Sequence, residues 1–179
     1  GISWRALLAS MLLLNSHDTA RFRNVVGGNV ERHFAGMGLL LTYPGVPSIF
    51  AGDEIGLRGA WGEDARRTIN WDERSEWDTE FLTQVKTLIN IRKESHALAY
   101  GGLRWIAIQN DYVAYLRESE KENVLVVVAR TAAEIKVDLS PWGLEVKTNL
   151  YGPVVRGNSF RFVTTSADVG IWQLSDSGK

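Results

Sequence analysis

An imidazole, a carboxylate and a guanidinium, on His17, Asp18 and Arg21, follow directly on the apolar run MLLL at residues 11–14. These groups exchange protons or hold polar ligands when they are gathered at one place. A second apolar run, VPSIFA at residues 46–51, ends the same way, in Gly52, Asp53 and Glu54. In a parallel α/β sheet, side chains just beyond the carboxyl end of a strand face the ligand crevice. His17 and Asp18 therefore stand where such a fold keeps its chemistry. A charge at that point costs free energy unless it is paired or solvated, and Arg21, Arg66 and Arg67 are the available partners. From spacing alone, ion pairs within the loops account for these residues at least as well as a reaction site does.

The elements that would position them are read from periodicity. A short continuous apolar run at 11–15 fits a strand buried on both faces, and 46–51 fits a second, with Pro47 near its start. Between them, Asn29 can cap a helix with an apolar stripe of Val30, Phe34, Met37 and Leu40 or Leu41. Pro44 and Gly45 stop it. A long polar loop at 52–77 precedes a helix starting near Asp78, with Phe81, Leu82, Val85, Leu88, Ile89 and Arg92 at helical steps, which ends before Gly101 and Gly102. Strand–helix–strand–helix is the order of βαβ units.

From Gly102 the period changes to two. In EIKVDLS, Ile135, Val137 and Leu139 face one way and Glu134, Lys136 and Asp138 the other. Residues 112–117 and 124–130 read as a hairpin around a charged loop. Residues 149–156 and 159–164 read as another around Gly157 and Asn158. Residues 169–174 make a last strand. The expected division is an α/β part over 1–101 and an antiparallel β-sandwich over 102–179.

Composition narrows the function. A formal net charge of −1, with 45% hydrophobic and 23% charged residues, selects neither nucleic acid nor an anionic membrane as partner. No apolar run approaches the roughly 20 residues of a membrane span, and Trp4 and Arg5 interrupt any secretory-leader pattern at residues 1–10. The absence of cysteine excludes disulfides, thiolate nucleophiles and Cys-based zinc sites. It fits a cytoplasmic protein, the location expected here, and equally many exported ones. No phosphate-binding glycine pattern is present. His17 and Asp18 make no zinc spacing with another histidine, and His33 and His96 fall on predicted helices as packing or surface residues. Seven tryptophans suit sugar faces, although core packing is the expected role of most, Trp61 and Trp71 included.

The order of these motifs resembles the α-amylase family of glycoside hydrolases. LLLNSHDTARF is similar to the family's fourth signature region, and YPGVPSIFAGDEIGLRG to its last barrel strand and loop. RRTINWD, residues 66–72, resembles the following segment of the maltogenic-amylase, neopullulanase and α-glucosidase-like members. The resemblance implies the last two βα units of a (β/α)₈ barrel followed by a C-terminal β domain. It implies that Asp18 stabilises the transition state and that His17 holds hydroxyls of the same glucosyl unit. Arg21, Asp64 and Arg66 would contact substrate or orient the site, and the GDE acids would be structural. Where similar members carry DPDCRR, this chain has Gly62 in place of the first acid. The family's nucleophilic Asp and acid/base Glu lie on earlier strands, so a C-terminal fragment, inactive alone, is the expectation. No metal or cofactor is expected within these residues; the resemblance implies that calcium sites of such enzymes lie mostly in their other parts. The expected ligand is an α-glucan oligosaccharide, with self-association through the exposed half-barrel. The alternative is a carbohydrate-binding or interaction module, with Trp142 and Trp172 as its candidate contacts.

Overall fold

The computed structural model describes residues 1–178. A helical layer comes first: α1 (Trp4–Leu8), β1 (Met11–Leu12), α2 (Phe22–Val25), α3 (Val30–Thr42), β2 (Val46–Pro47), α4 (Thr79–Glu94) and α5 (His96–Tyr100). Three single turns of 3₁₀ helix, Asp53–Ile55, Asp64–Arg66 and Arg74–Glu76, punctuate the long loop before α4. Then come β3 (Gly102–Ile108), β4 (Tyr112–Glu118), β5 (Asn123–Ala129), β6 (Ala133–Asp138), β7 (Leu144–Tyr151), β8 (Ser159–Thr164) and β9 (Asp168–Asp176).

β1 and β2 pair in parallel, Met11 with Val46 and Leu12 with Pro47. The two apolar runs are thus strands for only two residues each, and neither is buried on both faces. Met11 is 65% exposed and Val46 53%. Among the described residues each strand has a single strand neighbour. Nothing extends the ladder sideways, so the pleat lapses after two residue pairs and the outward side chains meet solvent.

α3 starts where the sequence places it. The Asn29 side chain accepts from the Arg32 N–H at 2.7 Å, satisfying one of the orphan donors of the first turn. Phe34, Met37, Leu40 and Leu41 are buried, while Val30, at the first turn, is partly exposed. The helix ends at Thr42 because Tyr43, preceding Pro44, is extended. Asp78 caps α4 through the Phe81 N–H, 3.0 Å, and Phe81, Val85 and Leu88 are its buried face. The run to Gly101 is broken at Ser95, whose extended backbone ends α4. Its hydroxyl accepts from Leu98 N–H to start α5 and donates to Glu122 at 2.6 Å.

β3, β4, β5, β9 and β7, in that order, form an antiparallel sheet, and β6 and β8 form a separate ribbon. β5 sits at the centre of the sheet and is buried on both faces. Val124, Val126 and Val128 pack with Phe34, Met37, Leu88 and Leu98 of the helices. Leu125, Val127 and Ala129 pack with Ile135, Val137 and Trp172 beneath the ribbon. Helices, sheet and ribbon therefore make three layers with two cores, and the sheet–ribbon half is the expected sandwich.

The hairpin expected from 149–164 does not form. Gly157 does turn, at φ 77°, but β7 pairs with β9 and β8 with β6. Packing decides this. Phe160 and Phe162 each lie 5.8 Å from the Trp172 ring. Pro153, which has no N–H to continue a ladder, instead accepts from the Trp172 indole at 3.0 Å.

Arginines join the helical layer to the sheet. Arg117 of β4 is fully buried and donates to the backbone carbonyls of Thr42, Gly101 and Gly102, at the ends of α3 and α5. Arg92 donates to Leu41, Tyr43 and Gly45 carbonyls. Cations at carbonyl-rich helix ends suit the helix dipole. Burial nonetheless pulls the Arg117 guanidinium down to about 10.

Candidate active site

Because β1 and β2 run the same way, the chain leaves both at one end, and the loops that follow meet there. Asn15, beyond β1, donates to Asp53 Oδ1, beyond β2, at 3.3 Å. Arg21 Nη1 donates to the same oxygen at 2.9 Å and to the Ala51 carbonyl at 2.8 Å. Its Nε reaches the Ala65 carbonyl at 3.0 Å, and its plane lies 4.0 Å from the Phe50 ring centre. Burial pushes the Asp53 carboxyl up from its usual range, against the hydrogen bonds from Arg21 and Asn15. Arg21, expected to contact substrate or to orient the site, is only 2% exposed. Only the second fits: its guanidinium ties the loop segments together from beneath and, being buried, has no route to a ligand. Asp53 is structural, as expected, and Glu54 closes its own turn by accepting from the Gly52 N–H at 2.8 Å.

Above this tie, Asp18 and His17 stand open, with side chains 68% and 64% exposed. His17 Nε2 lies 3.3 Å from Asp18 Oδ1. Arg66 Nη2 lies 3.2 Å from the same oxygen, and Arg66 Nε donates to the His17 carbonyl at 3.0 Å. The carboxylate is flanked by an imidazole and a guanidinium on one oxygen, which leaves the other free to accept hydrogen bonds from a ligand.

Arg66 is carried by the loop 59–67. Asp64 braces that loop: one oxygen accepts from the Ala60 N–H at 2.6 Å, the other from Arg67 Nη2 at 2.6 Å and Nε at 2.8 Å. The Ala60 hydrogen bond first, and then Arg67, hold its carboxyl below the usual range. Asp64, expected on substrate, is thereby engaged within the loop on both oxygens. Glycine is required at 59, where a β-carbon would stand 2.5 Å from the Ala65 α-carbon.

The aromatic expectations divide. Trp61 and Trp71, expected to pack, are 58% and 63% exposed, since no core element reaches this loop; Trp71 has only the edge of Trp77, 5.6 Å away. Trp172, a candidate sugar contact of the β domain, is completely buried as the centre of the ribbon core. Trp142 is partly exposed. Asn15 was not singled out from the sequence, although its place at the end of an apolar run marks it. Among the described residues no group of three or more His, Asp or Glu side chains could hold a metal ion.

No family model matches the chain. The chain is 33% identical to a cyclomaltodextrinase of Geobacillus thermopakistaniensis (strain MAS1) over 139 residues, 75% of this chain and 24% of that protein. To neopullulanase 2 of Thermoactinomyces vulgaris it is 37% identical over 118 residues, 65% of this chain and 20% of that protein. A debranching enzyme of Nostoc punctiforme superposes with a TM-score of 0.82 at 27% identity, over 95% of this chain and 36% of that one. The chain matches the C-terminal region of α-amylase-family glycoside hydrolases. An α-amylase of Geobacillus thermoleovorans, at TM-score 0.81 and 20% identity, shares the fold. The chain spans about a quarter of the length of the curated relatives it matches.

Proposed function

We propose that this chain is the part of a retaining, α-glucan-cleaving glycoside hydrolase that grips the glucosyl unit at the scissile bond. In this reading β1 and β2 are the last two strands of a (β/α)₈ barrel, residues 1–101 its end, and residues 102–179 the C-terminal β domain. The observation that carries the reading is the open Asp18 carboxylate, set between His17 and Arg66 at the carboxyl end of a parallel strand pair. As the glycosidic bond breaks, positive charge grows on the sugar ring and its hydroxyls become stronger donors. Hydrogen bonds from them to Asp18 tighten at that moment, which can supply several kcal/mol to the transition state. His17 holds a hydroxyl of the same ring, and Arg66, 3.2 Å from one Asp18 oxygen, keeps the carboxylate aimed. The nucleophile and the acid/base belong to chain outside these residues, so this chain alone binds without cutting.

The test has two arms. The purified chain is expected to release no chromophore from an aryl α-glucoside. In the full-length protein that carries it, Asp18→Ala is expected to lower kcat on the order of a thousandfold, with a smaller change in KM. Hydrolysis by the isolated chain that vanishes with Asp18→Ala, or full-length activity indifferent to that change, would overturn the reading.

A further inference from the structure

We propose that Asn24 is a positioning residue for the Asp18 carboxylate: through Gly59 it sets the loop from which Arg66 reaches Asp18. This role rests on the reading of Asp18 above. Among the described residues, the Asp18 carboxylate meets charged side chains only in His17 and Arg66. Both side chains of the Arg66–Asp18 pair are more than half exposed, and an ion pair so open to water holds little by itself. Its geometry is therefore set by where the backbone of Arg66 stands, and the contacts that fix that backbone lead to α2.

They start at Gly59. Its N–H donates to Asn24 Oδ1 at 2.8 Å, and its carbonyl accepts from the Arg21 N–H at 2.9 Å. Both backbone groups of this buried glycine are thus held by the short segment 21–24, just downstream of Asp18. Gly59 in turn lies against Ala65: a β-carbon at 59 would stand 2.5 Å from the Ala65 α-carbon and 2.8 Å from its nitrogen. Ala65 is fully buried, and its carbonyl accepts from Arg21 Nε at 3.0 Å. The next residue is Arg66, whose Nε and Nη2 close the circuit on the His17 carbonyl and Asp18 Oδ1. The guanidinium of Arg21 is shared among Ala51, Asp53 and Ala65. Among the described residues, the Asn24 side chain serves Gly59 alone. Without it a buried N–H loses its acceptor and the loop shifts to find another. A displacement of less than about 1 Å at Arg66 is enough to turn the Asp18 carboxylate away from the sugar hydroxyls it must meet.

Two measurements test this. In the 179-residue chain, the Arg66 Nε–H, held by the His17 carbonyl, is expected to exchange with water more slowly by NMR than the Nε–H of exposed Arg156. Asn24→Ala brings the two rates together, and Asn24→Asp, which keeps an acceptor, does not. In the full-length protein, Asn24→Ala is expected to lower kcat about tenfold with KM changed less than about twofold, and Asn24→Asp to recover most of the loss. Asn24→Ala added to Arg66→Ala is expected to lower kcat no further, since the two act along one path. A residue that only stabilised the fold would add its loss to that of Arg66→Ala. Asn24→Gln, which keeps the amide but carries its oxygen one methylene too far, is the second variant if Asn24→Ala does not fold, with the same expected loss. Unaltered Arg66 exchange, unaltered kcat or additive losses in the double variant overturn the role of Asn24. If Asp18→Ala lowers kcat while the Asn24 variants do not, the Asp18 reading stands without Asn24; if Asp18→Ala leaves kcat unaltered, both fall.

Discussion

Asp53 is the structural acid expected, and Arg21, expected to contact substrate or orient the site, proves to act only from beneath. Their types and their places beyond two strand ends marked them, and those places do meet in space. What the sequence did not carry was depth. Both side chains are nearly inaccessible, and the pair is a two-charge tie beneath the open Asp18 rather than part of its rim. Removing one member of such a pair leaves the other charge buried without a partner. Asp53→Ala is therefore expected to cost about 3–5 kcal/mol of stability and to loosen Arg21 from the Ala51 and Ala65 carbonyls as well. Chemical denaturation of the chain checks this, with Glu54→Ala, which loses only a local turn contact, as the milder comparison. Asp64 was displaced in the same way: its carboxylate faces its own loop, held by the Ala60 N–H and by Arg67 three residues on.

At the level of elements, legibility followed locality. The cap Asn29, the helix start near Asp78, the stop at Pro44 and the alternation of Ile135, Val137 and Leu139 depend on neighbours in sequence, and all appear where the residues place them. The pairing of β7 and β8 depends on what Phe160 and Phe162 cover, a long-range matter, and the local turn signal at Gly157 pointed to the wrong partner. The link between the first helices was equally hidden. His33, completely buried in α3, accepts from Arg23 of α2 at 2.9 Å and stacks on Phe81 of α4, while Arg23 also reaches Asp78, the cap of α4. Burial, and then the Arg23 charge, lower the His33 imidazole from 6.5 to about 3, with Asp78 opposing. The sign follows from linkage. Below about pH 6.5 the unfolded chain takes up a proton that the folded chain refuses until about pH 3, so stability falls across that interval as pH falls. The full effect is on the order of 4–5 kcal/mol, about 1.4 kcal/mol per pH unit. Melting temperatures of the chain at pH 7.5 and pH 4.5 are expected to differ more than those of His33→Gln, which keeps an acceptor for Arg23 and cannot take the proton. Equal pH sensitivity in the two proteins would show that His33 does not carry the effect.

For the whole molecule, the two layers of the β half and the parallel pair differ in how completely they are covered. Every face of β5 is buried, and Arg117, Arg92 and Glu122 fasten helices to sheet: Glu122, on the β4–β5 turn, accepts from Ser95 and Ala97 at the start of α5 and from Gln173 of β9. The β1–β2 pair has no such cover. Met11 and Val46 are open, Leu13 is 44% exposed, and Leu12, Leu14, Leu39, Tyr43 and Trp105 line an apolar hollow of about 390 Å³ beside β1. Strand edges with unpaired backbone groups beside exposed apolar side chains recruit further strands. Under the reading in which the rest of a barrel covers this surface, the isolated chain has only copies of itself to supply the cover. It is expected to self-associate with a concentration dependence visible by light scattering or sedimentation. Met11→Lys together with Val46→Lys should shift it toward the monomer without lowering the melting temperature, because neither side chain is part of either core. A chain that stays monomeric at every concentration tested, with protected amides in β1, would mean that α3 alone suffices to hold the pair, and that the edge is covered from within.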